Sequence, residues 1–307
     1  MGGVEFGMPS LRPMFVLFAT CAGLAAQSIQ PIDLWKRPVA AADRKIAYGQ
    51  DALQFGELRL PKTKGLHPVV ILLHGGCYVD RLPQRDPRDT TFETFRPLAA
   101  GLAEAGIATW NLEYRRAGSP GGGWPATFLD LAAGMDFLRT IAREYQLDLN
   151  RVVVLGHSSG GSFAHWMGAR SRLPRSSPLY AKNPLKVKAI MNVDGPPDLA
   201  EFQPMERKFC PVPGLTELMG GTPAEQPERY RQNSAISLLP AGVPQTIVAA
   251  EVLAPADVLV SSYEAAAKAK GDSVTVIKLE GAGHFDMLAP ESQYGKSLME
   301  AILALLK

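Results

Sequence analysis

The chain has 307 residues, of which 46% are hydrophobic and 20% are charged, and its formal net charge is +2. A chain of this length and composition can bury a sizeable core without disulfides or metals, and disorder is expected only at its ends. The near-neutral balance excludes a charge-driven affinity for nucleic acid or for a membrane surface. The five His and three Cys are too scattered along the chain to predict a metal cluster.

Residues 1–27 have the pattern of a signal peptide or apolar leader. Arg12 supplies positive charge, and the apolar run from Met14 to Ala26 ends in small residues that favour cleavage. The run is short for a membrane span, so we expect export to the periplasm or beyond and no stable membrane insertion after cleavage. An uncleaved leader would leave the protein cytoplasmic. In an oxidising compartment Cys77 and Cys210 could pair, or they could remain two buried thiols.

Strands and helices alternate along the rest of the chain, after an irregular stretch at 30–45. The predicted elements, in chain order, are strand 53–60, strand 68–73, helix 92–105, strand 107–114, helix 125–145, strand 152–155, helix 159–172, strand 187–193, strand 245–250, helix 256–270, strand 274–279 and helix 291–307. This alternation predicts an α/β fold with a mostly parallel central sheet and helices on both faces. Residues 196–240, which are rich in proline and lack periodicity, are predicted to be a small cap inserted into one domain spanning 28–307. In such a sheet, functional residues follow the carboxyl ends of the strands.

The strand at 152–155 runs into a Gly-x-Ser-x-Gly motif centred on Ser158. A nucleophilic serine needs a sharp strand-to-helix turn that exposes its hydroxyl, and flanking glycines avoid collisions in that turn. The helix that follows directs its amino terminus at the reacting centre, which favours developing negative charge. The motif therefore predicts Ser158 as a nucleophile. Ser159 and Ser162 are rival hydroxyls, but neither occupies the centre of the motif.

An oxyanion hole is predicted where the strand at 68–73 ends in His74-Gly75-Gly76-Cys77-Tyr78. Glycines let the backbone approach a substrate, so an N–H from Gly76 or Cys77 can meet the N–H of Ser159 on the substrate oxygen. His74 is interpreted as structural.

The general base is predicted to be His284, which lies on a loop of small residues after the last strand. The order serine then histidine fits this interpretation. His157 and His165 lie too close in sequence to the nucleophile to approach it from across the sheet.

The acid that orients the histidine should follow the strand at 245–250. Leu253 occupies the expected acid position there. Three carboxylates remain open: Glu251 at the strand end, which is the leading choice, Asp257 at the head of the next helix, and Asp194 after the preceding strand. Asp286 is too close to the base in sequence to fold back onto it.

These motifs resemble the α/β-hydrolase superfamily, near its esterase, kynurenine-formamidase-like and dienelactone-hydrolase-like branches. The resemblance extends from about residue 50 to 307 and depends on His74-Gly75-Gly76, on the motif around Ser158 and on Gly283-His284-Phe285. It implies the α/β-hydrolase fold and a triad hydrolase that needs no cofactor and no metal. Cys77 in the oxyanion loop and the unassigned acid depart from the pattern.

The expected reaction is cleavage of a small, mainly uncharged ester through an acyl-enzyme. Tyr78, His157 and Trp124 are candidate substrate contacts, and Phe202 and Phe209 are further candidates from the cap. Rival interpretations keep the triad but change the substrate, to an aryl-formamide, a peptide or a polyester. A rival interpretation of another class is a non-catalytic binding protein on a hydrolase scaffold. The presence of Leu253 where an acid is expected favours that interpretation. Neither the oligomeric state nor the identity of the ester follows from the sequence.

Overall fold

The computed structural model describes residues 1–2, 28–82, 91–253 and 257–307. Eight strands in this part of the chain form a single sheet in the order β1-β2-β4-β3-β5-β6-β7-β8. β1 and β2 are antiparallel, as are β2 and β4, whereas all pairs from β4 to β8 are parallel. The strands are β1 (Arg44–Ala47), β2 (Phe55–Arg59), β3 (His67–Leu73), β4 (Ala108–Leu112), β5 (Leu147–His157), β6 (Ala189–Val193), β7 (Gln245–Ala249) and β8 (Val274–Lys278). The predicted mostly parallel sheet is confirmed.

The α-helices are α1 (Pro31–Trp35), α2 (Arg96–Glu104), α3 (Ala126–Asp136), α4 (Leu138–Ile141), α5 (Ser159–Ala169), α6 (Leu199–Phe202), α7 (Gly214–Met219), α8 (Pro227–Asn233), α9 (Asp257–Ala269) and α10 (Gln293–Leu306). The helix predicted at 125–145 is divided at Phe137 into α3 and α4. The stretch at 30–45, expected to be irregular, contains α1 and the start of β1. Both elements are five residues or shorter, too short to produce a periodic pattern.

The central strands are buried on both faces, which explains their unbroken apolar sequences. In β3, Val69 and Ile71 join the core on one face of the sheet, and Val70 and Leu72 join the core on the other. Successive side chains of a strand point to opposite faces, so a strand covered by helices on both sides needs apolar residues at every position.

Residues 196–240, all of which the structure describes, add no strand to the sheet and form α6, α7, α8 and short 3-10 turns. We refer to this segment as the cap. The predicted leader spans residues 1–27, of which residues 3–27 lie outside the described part of the chain. No helix among the described residues is long and apolar enough to span a bilayer.

Candidate active site

Ser158 stands on a strained turn between β5 and α5. Its backbone has φ 55° and ψ −130°, a conformation that costs a residue with a side chain about 1–3 kcal/mol. The turn is so tight that a Cβ at Gly156 would lie 1.8 Å from the Gly160 carbonyl oxygen, and one at Gly160 would lie 2.0 Å from that of Leu73. The two glycines of the motif are therefore required by the close approach of backbone to backbone. Ser158 itself is half-buried and lines a cavity.

His284 lines the same cavity as Ser158, and hydrogen bonds hold both its ring and its backbone. Its Nδ1–H donates to Asp194 Oδ2 at 2.7 Å. Its backbone N–H donates to Glu251 Oε2 at 2.8 Å, and its carbonyl oxygen accepts from His157 Nε2 at 2.7 Å. A proton on Nδ1 leaves Nε2 of a neutral imidazole as the acceptor, which is the tautomer that a general base requires.

Asp194 follows β6 and is fully buried. Its Oδ1 accepts from the backbone N–H groups of Ala250 and Leu253, both at 2.9 Å, and its Oδ2 accepts from the Val252 N–H at 3.0 Å as well as from His284. Burial raises the pKa of Asp194, but the contacts with His284 and the backbone N–H groups outweigh burial and lower that pKa below its usual value. The carboxylate is thus held ionised beside the imidazole.

The three carboxylates considered for the acid have different surroundings. Asp194 contacts the His284 ring, whereas Glu251 reaches only the backbone N–H of that residue. Asp257 is exposed and pairs with Lys278 at 3.0 Å. The loop after β7, where the acid was expected, instead supplies backbone donors to Asp194. A signal for Asp194 was present in the sequence as an acidic residue directly after a buried strand, but Glu251 shared that signal.

The loop after β3 passes close over Ser158. A Cβ at Gly75 would lie 2.7 Å from the Ser158 Cβ, so only glycine permits this approach. Gly76, Cys77 and Tyr78 all have positive φ. In the described part of the chain, no protein acceptor takes up the backbone N–H of Gly76, Cys77 or Ser159. These three N–H groups therefore remain available as hydrogen-bond donors on residues that line the same cavity as Ser158.

A buried charge network lies beneath this loop. His74 is fully buried, with its Nε2 3.0 Å from Glu113 Oε1 and its ring stacked on Tyr114 at 4.4 Å. Arg116 contacts the same Glu113 oxygen and also reaches Asp80 at 3.2 Å. Burial raises the pKa of Glu113, but His74 and Arg116 outweigh it and lower the pKa to about 2. The network holds the end of β3, where this loop begins.

The cavity in front of Ser158 has a volume of about 320 Å³ and is mainly apolar. Tyr78 and His157 line it, as expected of substrate contacts, and so do Phe202 and Phe209 from the cap. Trp124 does not line it: its backbone N–H donates to Leu218 at 2.8 Å, and the Arg229 guanidinium covers its ring at 4.4 Å. The predicted substrate contact at Trp124 is thus replaced by packing.

A disulfide joins Cys77 in the loop after β3 to Cys210 in the cap, with a Cα–Cα distance of 5.8 Å. Both cysteines line the cavity. Of the two alternatives weighed from the sequence, the structure contains the pair. Among the described residues, no group of three or more His, Cys, Asp or Glu side chains is arranged to hold a metal ion.

The chain matches one family model and is similar in fold to solved esterase structures. The model of the family described as BD-FAE matches residues 57–264, more than half of the chain. Similar solved structures include a truncated carbohydrate esterase from gut microbiota (19% identity over 87% of this chain and 96% of that chain, TM-score 0.69). An inhibited esterase B from Lactobacillus rhamnosis has 18% identity over 90% of this chain and 91% of that chain, with a TM-score of 0.68. A bacterial heroin esterase has 19% identity over 86% of this chain and 82% of that chain, with a TM-score of 0.65. At these identities the likeness is one of fold. No protein of curated function matches the chain in sequence.

Proposed function

The chain belongs to the BD-FAE family within the α/β-hydrolase superfamily, and from this premise we propose that it is a serine carboxylesterase. The superfamily and the fold that the motifs predicted are confirmed. The observation that carries the proposal is that Ser158, on its strained turn, shares one cavity with His284, whose Nδ1–H is bonded to the buried Asp194.

In the proposed mechanism, His284 Nε2 accepts the Ser158 proton as the hydroxyl oxygen attacks the ester carbonyl. The N–H groups of Gly76, Cys77 and Ser159 stabilise the resulting oxyanion, and losing one such donor raises the barrier by about 3 kcal/mol. His284 then protonates the departing alcohol, and water releases the acyl group by the same steps in reverse. Asp194 keeps the imidazole in the required tautomer and stabilises the imidazolium.

The proposed substrate is an ester with a small, uncharged acyl group. Phe202, Phe209 and Phe285 supply aromatic walls to the cavity, and in the described part of the chain no Asp, Glu, Lys or Arg side chain lines it. The names of structural relatives, which include a carbohydrate esterase, esterase B and a heroin esterase, are consistent with hydrolysis of carboxylic esters. The cap is proposed to roof the acyl site.

The Asp194 contact bears on the rival interpretation of a non-catalytic binding protein. That interpretation depended on Leu253 in the expected acid position. The contact between the His284 ring and Asp194, which follows β6, supports a triad whose acid lies there instead.

We also propose that the protein is exported, because the leader pattern and the Cys77–Cys210 disulfide both suit an oxidising compartment.

A fluorophosphonate probe tests the proposal, since it labels only an activated serine. Wild type is expected to be labelled and to hydrolyse p-nitrophenyl acetate. Ser158→Ala is expected to lose both properties, and the matched variant Ser162→Ala, which alters a neighbouring hydroxyl bonded to Tyr78 at 2.9 Å, is expected to keep labelling at Ser158. Absence of labelling in folded wild type would contradict the assignment of an esterase.

A further inference from the structure

The Cys77–Cys210 disulfide links the two segments that enclose the reacting centre. Cys77 belongs to the loop proposed to bind the oxyanion, and Cys210 belongs to the cap, 133 residues later. Cys210 is held in the cap by its backbone N–H, which donates to Glu206 at 2.9 Å. The covalent link therefore connects a positioned part of the cap to a residue that lines the cavity.

Hydrogen bonds anchor the oxyanion loop at its two ends, and the Val79 N–H donates to the Gly76 carbonyl at 3.2 Å to close a turn around Cys77 and Tyr78, but in the described part of the chain none is made by Cys77 itself. At one end the Thr91 hydroxyl donates to the Gly75 carbonyl at 2.6 Å. At the other, the Ala117 N–H donates to the Tyr78 carbonyl at 3.1 Å. Among the described residues, neither the N–H nor the carbonyl of Cys77 has a hydrogen-bond partner in the protein. The disulfide thus ties the turn to the cap, an attachment that the turn's own hydrogen bond does not provide.

Cys77 also has a conformation that its own sequence does not favour. Its φ is 52°, in the left-handed region that a residue with a side chain adopts at a cost of about 1–2 kcal/mol. The cap lies directly against it, because a Cβ at Gly214 would lie 1.9 Å from the Cys77 carbonyl oxygen. The turn hydrogen bond, contact with the cap and the bond to Cys210 together hold the peptide in this orientation.

We propose that the disulfide is a positioning device for the oxyanion hole, so that full esterase activity requires the oxidised protein. The inference rests on the proposed function. A dithiol reductant would break the S–S bond and convert Cys77 and Cys210 to two thiols, while the reductant forms its own disulfide, a transfer of two electrons and two protons. The freed loop would leave the left-handed conformation part of the time, and the Cys77 N–H would then be misplaced for the oxyanion.

Kinetics of the full-length protein before and after reduction test this inference. Folded wild type is treated with dithiothreitol, and alkylation with mass spectrometry verifies that both thiols are free. We expect kcat for p-nitrophenyl acetate to fall by about 10- to 100-fold with KM changed far less, because a misplaced donor acts on the transition state. The inhibition constant of a trifluoromethyl ketone, whose adduct with Ser158 carries an oxyanion, should rise by the same factor. Reoxidation should restore both values.

The double variant Cys77→Ser, Cys210→Ser is the matched control for the reductant. Without any dithiothreitol, its kcat should already be as low as that of wild type whose disulfide has been reduced. Dithiothreitol should not change this kcat further, and a thermal melt should show that the variant folds. The inference is overturned if the reduced wild type keeps its kcat, or if only KM rises, since the bond would then position the cap rather than the oxyanion donor. Failure of oxidised wild type to hydrolyse esters or to label at Ser158 would instead overturn the proposed function itself.

Discussion

Replacement of Asp194 by Asn is the sharpest test of the proposed triad. The carboxylate accepts two N–H groups on Oδ1 and one on Oδ2, where it also accepts the His284 Nδ1–H. An amide has one oxygen and one NH₂, so one side of the site must bring donors face to face. If the amide oxygen stayed on His284, the NH₂ would oppose the N–H groups of Ala250 and Leu253. Leaving two buried donors unsatisfied would cost about 2–6 kcal/mol.

The opposite orientation sets the NH₂ against His284 and leaves only the Val252 N–H without an acceptor. The imidazole can adapt by moving its proton from Nδ1 to Nε2, so this arrangement is expected to prevail. Nε2 then cannot accept the Ser158 proton. In triad hydrolases the wrong tautomer lowers kcat by about 10⁴-fold, which equals about 5.4 kcal/mol at 1.36 kcal/mol per tenfold change.

The assay is steady-state hydrolysis of p-nitrophenyl acetate, with a thermal melt to show that the variant folds. Glu251→Gln is the matched control, because its amide oxygen can still accept the His284 backbone N–H that the Glu251 carboxylate binds. Exchanging a charged acceptor for a neutral one at an exposed position should change kcat by less than about 10-fold. The reasoning is refuted if the kcat of Asp194→Asn stays within 10-fold of wild type. It is also refuted if Glu251→Gln loses as much kcat as Asp194→Asn.

Three further predictions concern the surroundings of the site. Because the pKa of Glu113 is lowered from 4.5 to about 2, its carboxylate adds stability above pH 4.5 that is lost as the pH falls toward 2. Unfolding free energies of wild type and Glu113→Gln should therefore converge over that interval, and a constant difference would contradict the network. Gly214→Ala should lower kcat, because its Cβ would displace the Cys77 carbonyl. Gly271→Ala, where a Cβ meets nothing but φ is 86°, should lower stability through backbone strain and leave kcat unchanged. Phe209→Ala should raise KM for long acyl chains by roughly 10-fold through lost apolar contact, with acetate esters little affected; equal changes for both would show that Phe209 does not contact the acyl chain.

Local sequence patterns were sufficient to predict the sheet and the turn that carries Ser158. The unbroken apolar runs of β3 and β5 follow from burial of both faces, and the glycines at 156 and 160 follow from a backbone contact within a few residues. Short elements could not be predicted from periodicity, because α1 and β1 contain too few residues to show a period. α1 is stabilised by packing, and β1 by pairing at the edge of the sheet. The division of the helix at 125–145 was missed for a similar reason, because apolar residues continue through Phe137.

The acid depended on contacts between distant segments. Glu251 and Asp194 both follow a buried strand, and their residue types and positions do not distinguish them. The choice is made by the path of the loop after β7, which directs three backbone N–H groups at Asp194 and leaves Glu251 to bind a backbone donor. Trp124 likewise belongs to a plausible glycine-rich loop but is covered by Arg229 from the cap.

The amino-acid sequence by itself determined the α/β architecture, the strained serine turn and the small-residue loops, because each depends on hydrophobic periodicity or on clashes between near neighbours. Tertiary structure alone decided which carboxylate reaches His284, that Cys77 is bonded to Cys210 and which aromatic side chains face the cavity. These outcomes depend on distances between segments separated by tens to hundreds of residues, and such distances are set by how the loops fold over the sheet rather than by any local pattern.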